Sequence, residues 1–190
     1  GEGTNPDAVR TKKPALGMAA SKALEIGLSM VHPVALIHDL TILERRHERI
    51  LLQGGKDLIS PLLTRHLAGA DQVTIAICTI GAELETFSAT LMEKDPVLGL
   101  ALDGLGNAAV ERTAQLVCER IGDNAQKNNL TTTGPLSPGE PDWTVEVGQR
   151  EIFAILDPSQ VGISLTSGGM MVPKKSISFI VGTGNELSQK

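Results

Sequence analysis

The sequence is short of aromatic residues, with three Phe, one Trp and no Tyr among its 190 residues. That disfavours a reader of single-stranded nucleic acid built on stacked rings. It also lacks an excess of positive charge: 17 Lys and Arg stand against 22 Asp and Glu, a net charge of −5. Duplex nucleic acid and anionic membranes both demand a basic footprint, so neither is expected as a partner. No run of 18 apolar residues occurs, and the opening Gly1-Glu2-Gly3-Thr4-Asn5-Pro6 does not read as a signal peptide. Cysteine is limited to Cys78 and Cys118, each in an apolar stretch and neither in a CxxC. Both read as buried free thiols, which fits a reducing compartment. The expectation is a cytoplasmic protein. Its hydrophobic content of 41% is too high for a disordered chain, and the length suits one domain.

Along the chain, residues 1–14 are polar and broken by Pro6 and Pro14, so they read as a flexible lead-in. The domain is expected over 15–184, with 185–190 as a tail. Helical spacing runs from Ala15 to Met30. Val34 to Leu43 leans to strand, and Arg49 to Gln53 reads as its hairpin partner across the charged turn or strand end Glu44–Arg49. Asp57 to Ala68 returns to helical spacing and stops at Gly69-Ala70-Asp71. Gln72 to Ile80 is almost continuously apolar and β-branched, as expected of a strand covered on both faces. Ala82 to Glu93 reads as a helix. Asp95-Pro96, a cap followed by Pro in the first helical position, opens the longest helix, which is expected to end near Gly122. Residues 123–148 read as one long loop of functional character. A short helix follows over Gly148–Leu156. Two strands, Gly162–Thr166 and Ser176–Val181, close the chain around the turn Ser167-Gly168-Gly169. Helices and strands mix without regular βαβ alternation, so the pattern predicts an α+β domain with a mainly antiparallel sheet.

Several kinds of chemistry are excluded. There is no P-loop and no GxSxG elbow. Gly182-Thr183-Gly184-Asn185 follows a strand, but too little chain remains to supply the helix on which a dinucleotide phosphate rests. None of His32, His38, His47 and His66 forms HExxH or pairs with a cysteine at zinc spacing, so surface or capping roles are expected and no metal. Three features stand out. Glu111 lies off the apolar stripe of Leu98, Leu102, Leu105, Ala109, Val110, Val117 and Ile121, on a face with Gly104, Asn107 and Ala108. Small residues beside a carboxylate leave room for a ligand; the plain alternative is a partly solvated face with helix-packing glycines. Gly134–Trp143 is a Pro/Gly turn that would hold backbone groups in fixed directions and suit a polar ligand. Thr166–Ser176 places Met170, Met171, Lys174 and Lys175 on one loop, either as an adaptable contact surface or as a hairpin with methionine core plugs and solvated lysines.

At these residues the chain resembles a known family. The motifs are Leu136-Ser137-Pro138-Gly139 with Asp142-Trp143, then Gln149, Ile152-Phe153, Leu156-Asp157 and Ile163–Ser167. Met171, Pro173, Lys175-Ser176 and Ser178 follow, and upstream lie Arg65–Asp71, Thr79-Ile80-Gly81, Leu84-Glu85 and Leu102–Glu111. In this order, over roughly residues 35–183, they resemble the activation (reactivation) domain of cobalamin-dependent methionine synthase, above all its free-standing single-domain form. The resemblance implies a single α+β domain with a twisted, mainly antiparallel sheet flanked by helices. It implies a cytoplasmic accessory domain in a cobalamin-dependent methyltransferase system of methionine biosynthesis, with no catalytic residue of its own. Such a domain binds S-adenosylmethionine in a shallow groove and leans over cobalamin held by a corrinoid-bearing partner. A flavodoxin-type partner reduces the cobalamin, which is then remethylated. Carried over, Glu111, Ser137, Pro138, Gly139 and Glu140 would contact S-adenosylmethionine, and Met170, Met171, Lys174, Lys175 and Ser176 the corrinoid partner. Where the family's turn carries an Arg and a Tyr, this sequence has Pro135 and Glu140. That removes a bidentate anchor for the ligand's carboxylate. A binding or structural protein that has lost S-adenosylmethionine therefore stands as the alternative.

Overall fold

The computed structural model describes residues 14–185 and Leu187. The predicted lead-in, apart from Pro14, and most of the predicted tail lie outside the described residues. The helices are α1 (Pro14–Gly27), α2 (Pro61–His66), α3 (Glu83–Met92), α4 (Pro96–Lys127) and α5 (Val145–Ile155). The strands are β1 (Val34–Arg46), β2 (Arg49–Leu52), β3 (Lys56–Ile59), β4 (Gln72–Thr79), β5 (Thr131–Thr132), β6 (Ser164–Leu165), β7 (Met171–Val172) and β8 (Ser176–Gly184). Six of them form one curled sheet in the order β3-β2-β1-β4-β8-β5, with every neighbouring pair antiparallel. This is the α+β, antiparallel-sheet architecture that the sequence predicts.

The apolar run of β4 is explained by its place between β1 and β8. Val73, Ile75 and Ile77 point into one core with Ile50, Leu58, Leu63, Trp143, Ile152 and Ile180. Ala76 and Cys78 point the other way, onto Val117 and Ile121 of α4. Alternate side chains of a strand project to opposite faces, so a strand covered on both must be apolar throughout. The N-terminal half of α4 joins α1 and α3 around Ala23, Leu84, Leu98, Leu102 and Val110.

Four local readings are corrected. The helix expected over Asp57–Ala68 is instead β3, with Leu58 paired to Ile50, and only then α2. Ser60 sets the boundary: its hydroxyl accepts from the backbone N–H of Leu62 and Leu63, with Pro61 in the first helical position. The long helix does not end at Gly122 but runs to Lys127, past buried Ala125, and stops where Asn129 takes a left-handed φ of 57°. The expected loop at 123–148 is shorter for that reason, and it also contains β5 and the first turn of α5, capped by Thr144. The two C-terminal strands do not pair with each other. Ser164-Leu165 pairs with Met171-Val172 in a small separate hairpin, whereas β8 lies between β4 and β5 in the main sheet. Pro173 ends the hairpin because it has no N–H to continue the ladder.

Candidate functional site

The turn at 134–143 is fixed from below. Leu136 exchanges both backbone hydrogen bonds with Ile180 of β8, at 3.0 and 2.9 Å. The Gly139 N–H donates to Trp143 O and the Trp143 N–H to Glu140 O, each at 2.9 Å. Gly139 has φ +131°, a conformation that L side chains rarely adopt. Trp143 is 1% exposed, and its indole N–H donates to Glu151 Oε2 at 2.9 Å. Glu151 Oε1 accepts from the Ile59 N–H at 2.9 Å, so one half-buried carboxylate ties the turn to β3. Burial pushes the Glu151 carboxyl above its ordinary range; the bonds from Trp143 and Ile59 oppose this, and nearby Asp57 adds to it. Pro138 lies against Gly148 of α5, where a Cβ would stand only 2.7 Å from the proline ring. Ser137, Gly139 and Glu140 are left exposed on this support.

Glu111 is exposed on α4. Among the described residues no hydrogen bond or ion pair joins it to the turn at 137–140. The turn belongs to the core of Trp143 and Ile152, whereas α4 packs on the opposite face of the sheet. Asp103, Asn107 and Glu111 follow one another at four-residue spacing and so share one helix face. Lys175 reaches that face: Nζ lies 2.7 Å from Asp103 Oδ1 and donates to Asn107 Oδ1 at 2.5 Å, while its stem lies over Gly106. The lysine side chain is 11% exposed. The structure therefore places Lys175 about one turn from Glu111 along α4.

The rest of the 170–176 segment is anchored rather than free. Ser176 is buried, and its hydroxyl donates to Pro173 O at 2.8 Å and meets Thr79 Oγ1 at 3.0 Å. The backbone N–H of Lys174 donates to Glu85 Oε2 at 2.8 Å, while its side chain is exposed. Met171 packs against the main core and Met170 is exposed. The segment thus joins the end of β4 to α3 and α4.

Sequence reasoning placed Asn107 beside Glu111 and held Asp103 and Glu85 only within motifs; it missed their contacts with Lys175 and Lys174, and it missed Glu151 altogether. It also missed Arg65, whose guanidinium lies 3.2 Å from Asp142 Oδ2 beside the turn. His66, expected at the surface or in a cap, meets Gly134 O at 2.9 Å. Both cysteines are free; Cys78 is buried as expected, whereas Cys118 on α4 is only partly buried. Burial, with neighbouring Cys118, pushes the Cys78 thiol up to about 12. Burial and Glu119 raise Cys118 as well. No three His, Cys, Asp or Glu side chains converge as metal ligands among the described residues.

No family model matches the chain, and no curated protein does. Solved structures do match. The chain is similar to the crystal structure of the MetH reactivation domain bound to AdoHcy, with a TM-score of 0.76 over 99% of this chain and 72% of that one. The chain has the fold of the MetH reactivation domain. Identity to it is 14%, so the likeness lies in the path of the backbone and not in side chains held in common. No described helix is long and apolar enough to cross a membrane.

Proposed function

We propose that this chain is an S-adenosylmethionine-binding accessory domain of a cobalamin-dependent methyl-transfer system. It engages a corrinoid-bearing protein or methyltransferase and presents the methyl donor for reductive remethylation, with electrons from a flavodoxin-type partner. Cobalamin enters only through the corrinoid-bearing partner. The observation that carries this reading is the fold likeness, over nearly the whole chain, to a domain solved with AdoHcy. The ordered motifs from Arg65 to Ser178 point the same way.

The residues fit part of the ligand. Glu111 is an exposed carboxylate beside small residues, suited to the ligand's ammonium or sulfonium charge. The turn, which belongs to the other face of the sheet from α4, offers the exposed Ser137 hydroxyl on a fixed backbone as a separate candidate contact. Its own sequence has no cation for the ligand's carboxylate, but the fold brings the Arg65 guanidinium beside it, held by Asp142. Exposed Met170 and the exposed side chain of Lys174 remain for the corrinoid partner, on a segment that Lys175 and Ser176 anchor.

A second reading rests on the acidity of the turn. Glu140, Asp142 and Glu146 lie close together in sequence where a carboxylate would have to dock. In that reading the fold serves as a binding or structural protein that no longer holds S-adenosylmethionine. Titration with S-adenosylmethionine separates the two, and Glu111→Ala tests the site. Roughly tenfold weaker binding in the variant, about 1.4 kcal/mol, supports the assignment. Unchanged affinity would refute it.

A further inference from the structure

The sheet face that α4 covers is apolar along Ala76, Cys78, Phe179 and Val181, yet it turns polar at one end. There β1 supplies Asp39, β4 supplies Gln72 and Thr74, and β8 supplies Thr183, facing Arg120 of α4 across a groove of about 190 Å³. Thr74 and Thr183 are only 5% and 7% exposed and form a buried hydroxyl floor, with Asp39, Gln72 and Arg120 at its exposed rim. Thr74 Oγ1 donates to Asp39 Oδ1 at 2.6 Å and orients that carboxylate. Arg120 stands in no ion pair among the described residues, whereas its neighbour Glu119 is held by Arg112 at 3.0 Å. Ile37, at 39% exposure, adds an apolar wall.

A guanidinium and a carboxylate that face one small groove without pairing form a complementary set for a zwitterion. The guanidinium fork matches a carboxylate bidentately, and an oriented aspartate accepts from an ammonium. The volume lies below the roughly 300–1,000 Å³ of sites for drug-sized molecules, so the ligand is metabolite-sized. We propose that this groove binds a free α-amino acid, its carboxylate on Arg120 and its ammonium on Asp39. The site is separate from the one assigned to S-adenosylmethionine. Arg120 lies about 13 Å along α4 from Glu111 and about 180° around it. Because an amino-acid group also forms one end of S-adenosylmethionine, the test must distinguish the two sources.

The twenty common L-amino acids are titrated one at a time into the isotope-labelled chain, with backbone amide resonances as the readout. S-adenosylhomocysteine is titrated in parallel. At least one amino acid is expected to move the resonances of Asp39, Thr74, Thr183 and the last turns of α4 at millimolar concentration or below. The matching amine and the matching carboxylic acid should each bind more weakly. Arg120→Gln and Asp39→Asn should each weaken binding roughly tenfold or more. Both side chains are on the surface, so the variants should fold, and thermal melts check that. The proposal is overturned if no amino acid moves these resonances, or if binding persists unchanged in both variants. It is also overturned if S-adenosylhomocysteine alone moves them. None of these results decides whether the domain binds S-adenosylmethionine near Glu111, which the parallel titration reads on its own.

Discussion

Replacing Gly148 by Ala puts a methyl group where the turn meets α5. Its Cβ would lie 2.7 and 2.8 Å from Pro138 Cβ and Cγ, and 2.8 Å from Trp143 Cε2. Comfortable carbon–carbon contacts begin near 3.5 Å, so the neighbours must retreat by roughly 0.7 Å or more. Neither can do so cheaply, because Pro138 is a rigid ring and Trp143 is buried and hydrogen-bonded to Glu151. Overpacking of this kind costs about 1–3 kcal/mol, and the rigidity of both partners puts it near the upper end. Removing a helical glycine returns about 1 kcal/mol. The net expectation is a loss of about 2 kcal/mol, or roughly 4–8 °C in Tm at this chain length. Urea unfolding measures the loss, and the fluorescence of Trp143 reports on the turn itself, since it is the sole Trp. The native emission should shift to the red and become easier to quench. Gly104→Ala is the matched control: it lies within α4 with nothing within 4 Å of its would-be Cβ. It should gain up to about 1 kcal/mol. If Gly148→Ala is as stable as the wild type with unchanged emission, the claim that α5 rigidly supports the turn is wrong.

Other expectations follow from the same contacts. Glu151 has its folded-state pKa raised by burial, so the folded chain holds that proton more tightly than the unfolded chain. Its contribution to stability is therefore complete below the ordinary glutamate range and is lost as pH rises through the raised value. Urea midpoints taken from pH 4 to 8 should show this fall, and Glu151→Gln should flatten it; parallel profiles in the two proteins would count against the assignment. Burial holds the Cys78 thiol well above its ordinary range, so at pH 8 it should resist alkylation in the native state and react on unfolding. Cys118, which is less buried, should be labelled first, and rapid native labelling of Cys78 would contradict its placement. Lys175→Met removes the ammonium from Asp103 and Asn107. Charged hydrogen bonds contribute about 1.5–3 kcal/mol, and discounting for the exposure of Asp103 leaves a loss of about 1 kcal/mol. A melting temperature equal to that of the wild type would show that the clamp is not formed.

The parts of the fold that were legible in the sequence are those written in contiguous residues. The unbroken β-branched run of β4 announced a strand covered twice, and Asp95-Pro96 announced the start of α4. Ser60-Pro61 carries the same signal for α2, but the pattern before it, Lys56–Ile59, suits either period, and only pairing with β2 decides it. α4 runs on past Gly122 because a lone glycine lowers helix stability without ending a helix. The site divides in the same way. Glu111 and the Pro/Gly turn were visible as local irregularities. The Lys175 clamp on Asp103 and Asn107, the reach of Arg65 to Asp142 and the tie from Trp143 through Glu151 to Ile59 were not, since each joins segments that only the folded sheet brings together. The polar end of the α4-covered face was hidden for the same reason: Asp39, Thr74 and Thr183 sit on three strands, and alternation within any one of them looks ordinary.

Calorimetric titration of the purified chain with S-adenosylmethionine, with S-adenosylhomocysteine beside it, bears most directly on the proposed function. Binding in the micromolar range that weakens roughly tenfold in Glu111→Ala is the expected result. No binding of either compound at millimolar concentration, by a chain whose thermal melt shows it folded, would contradict it and leave the fold in the service of another ligand.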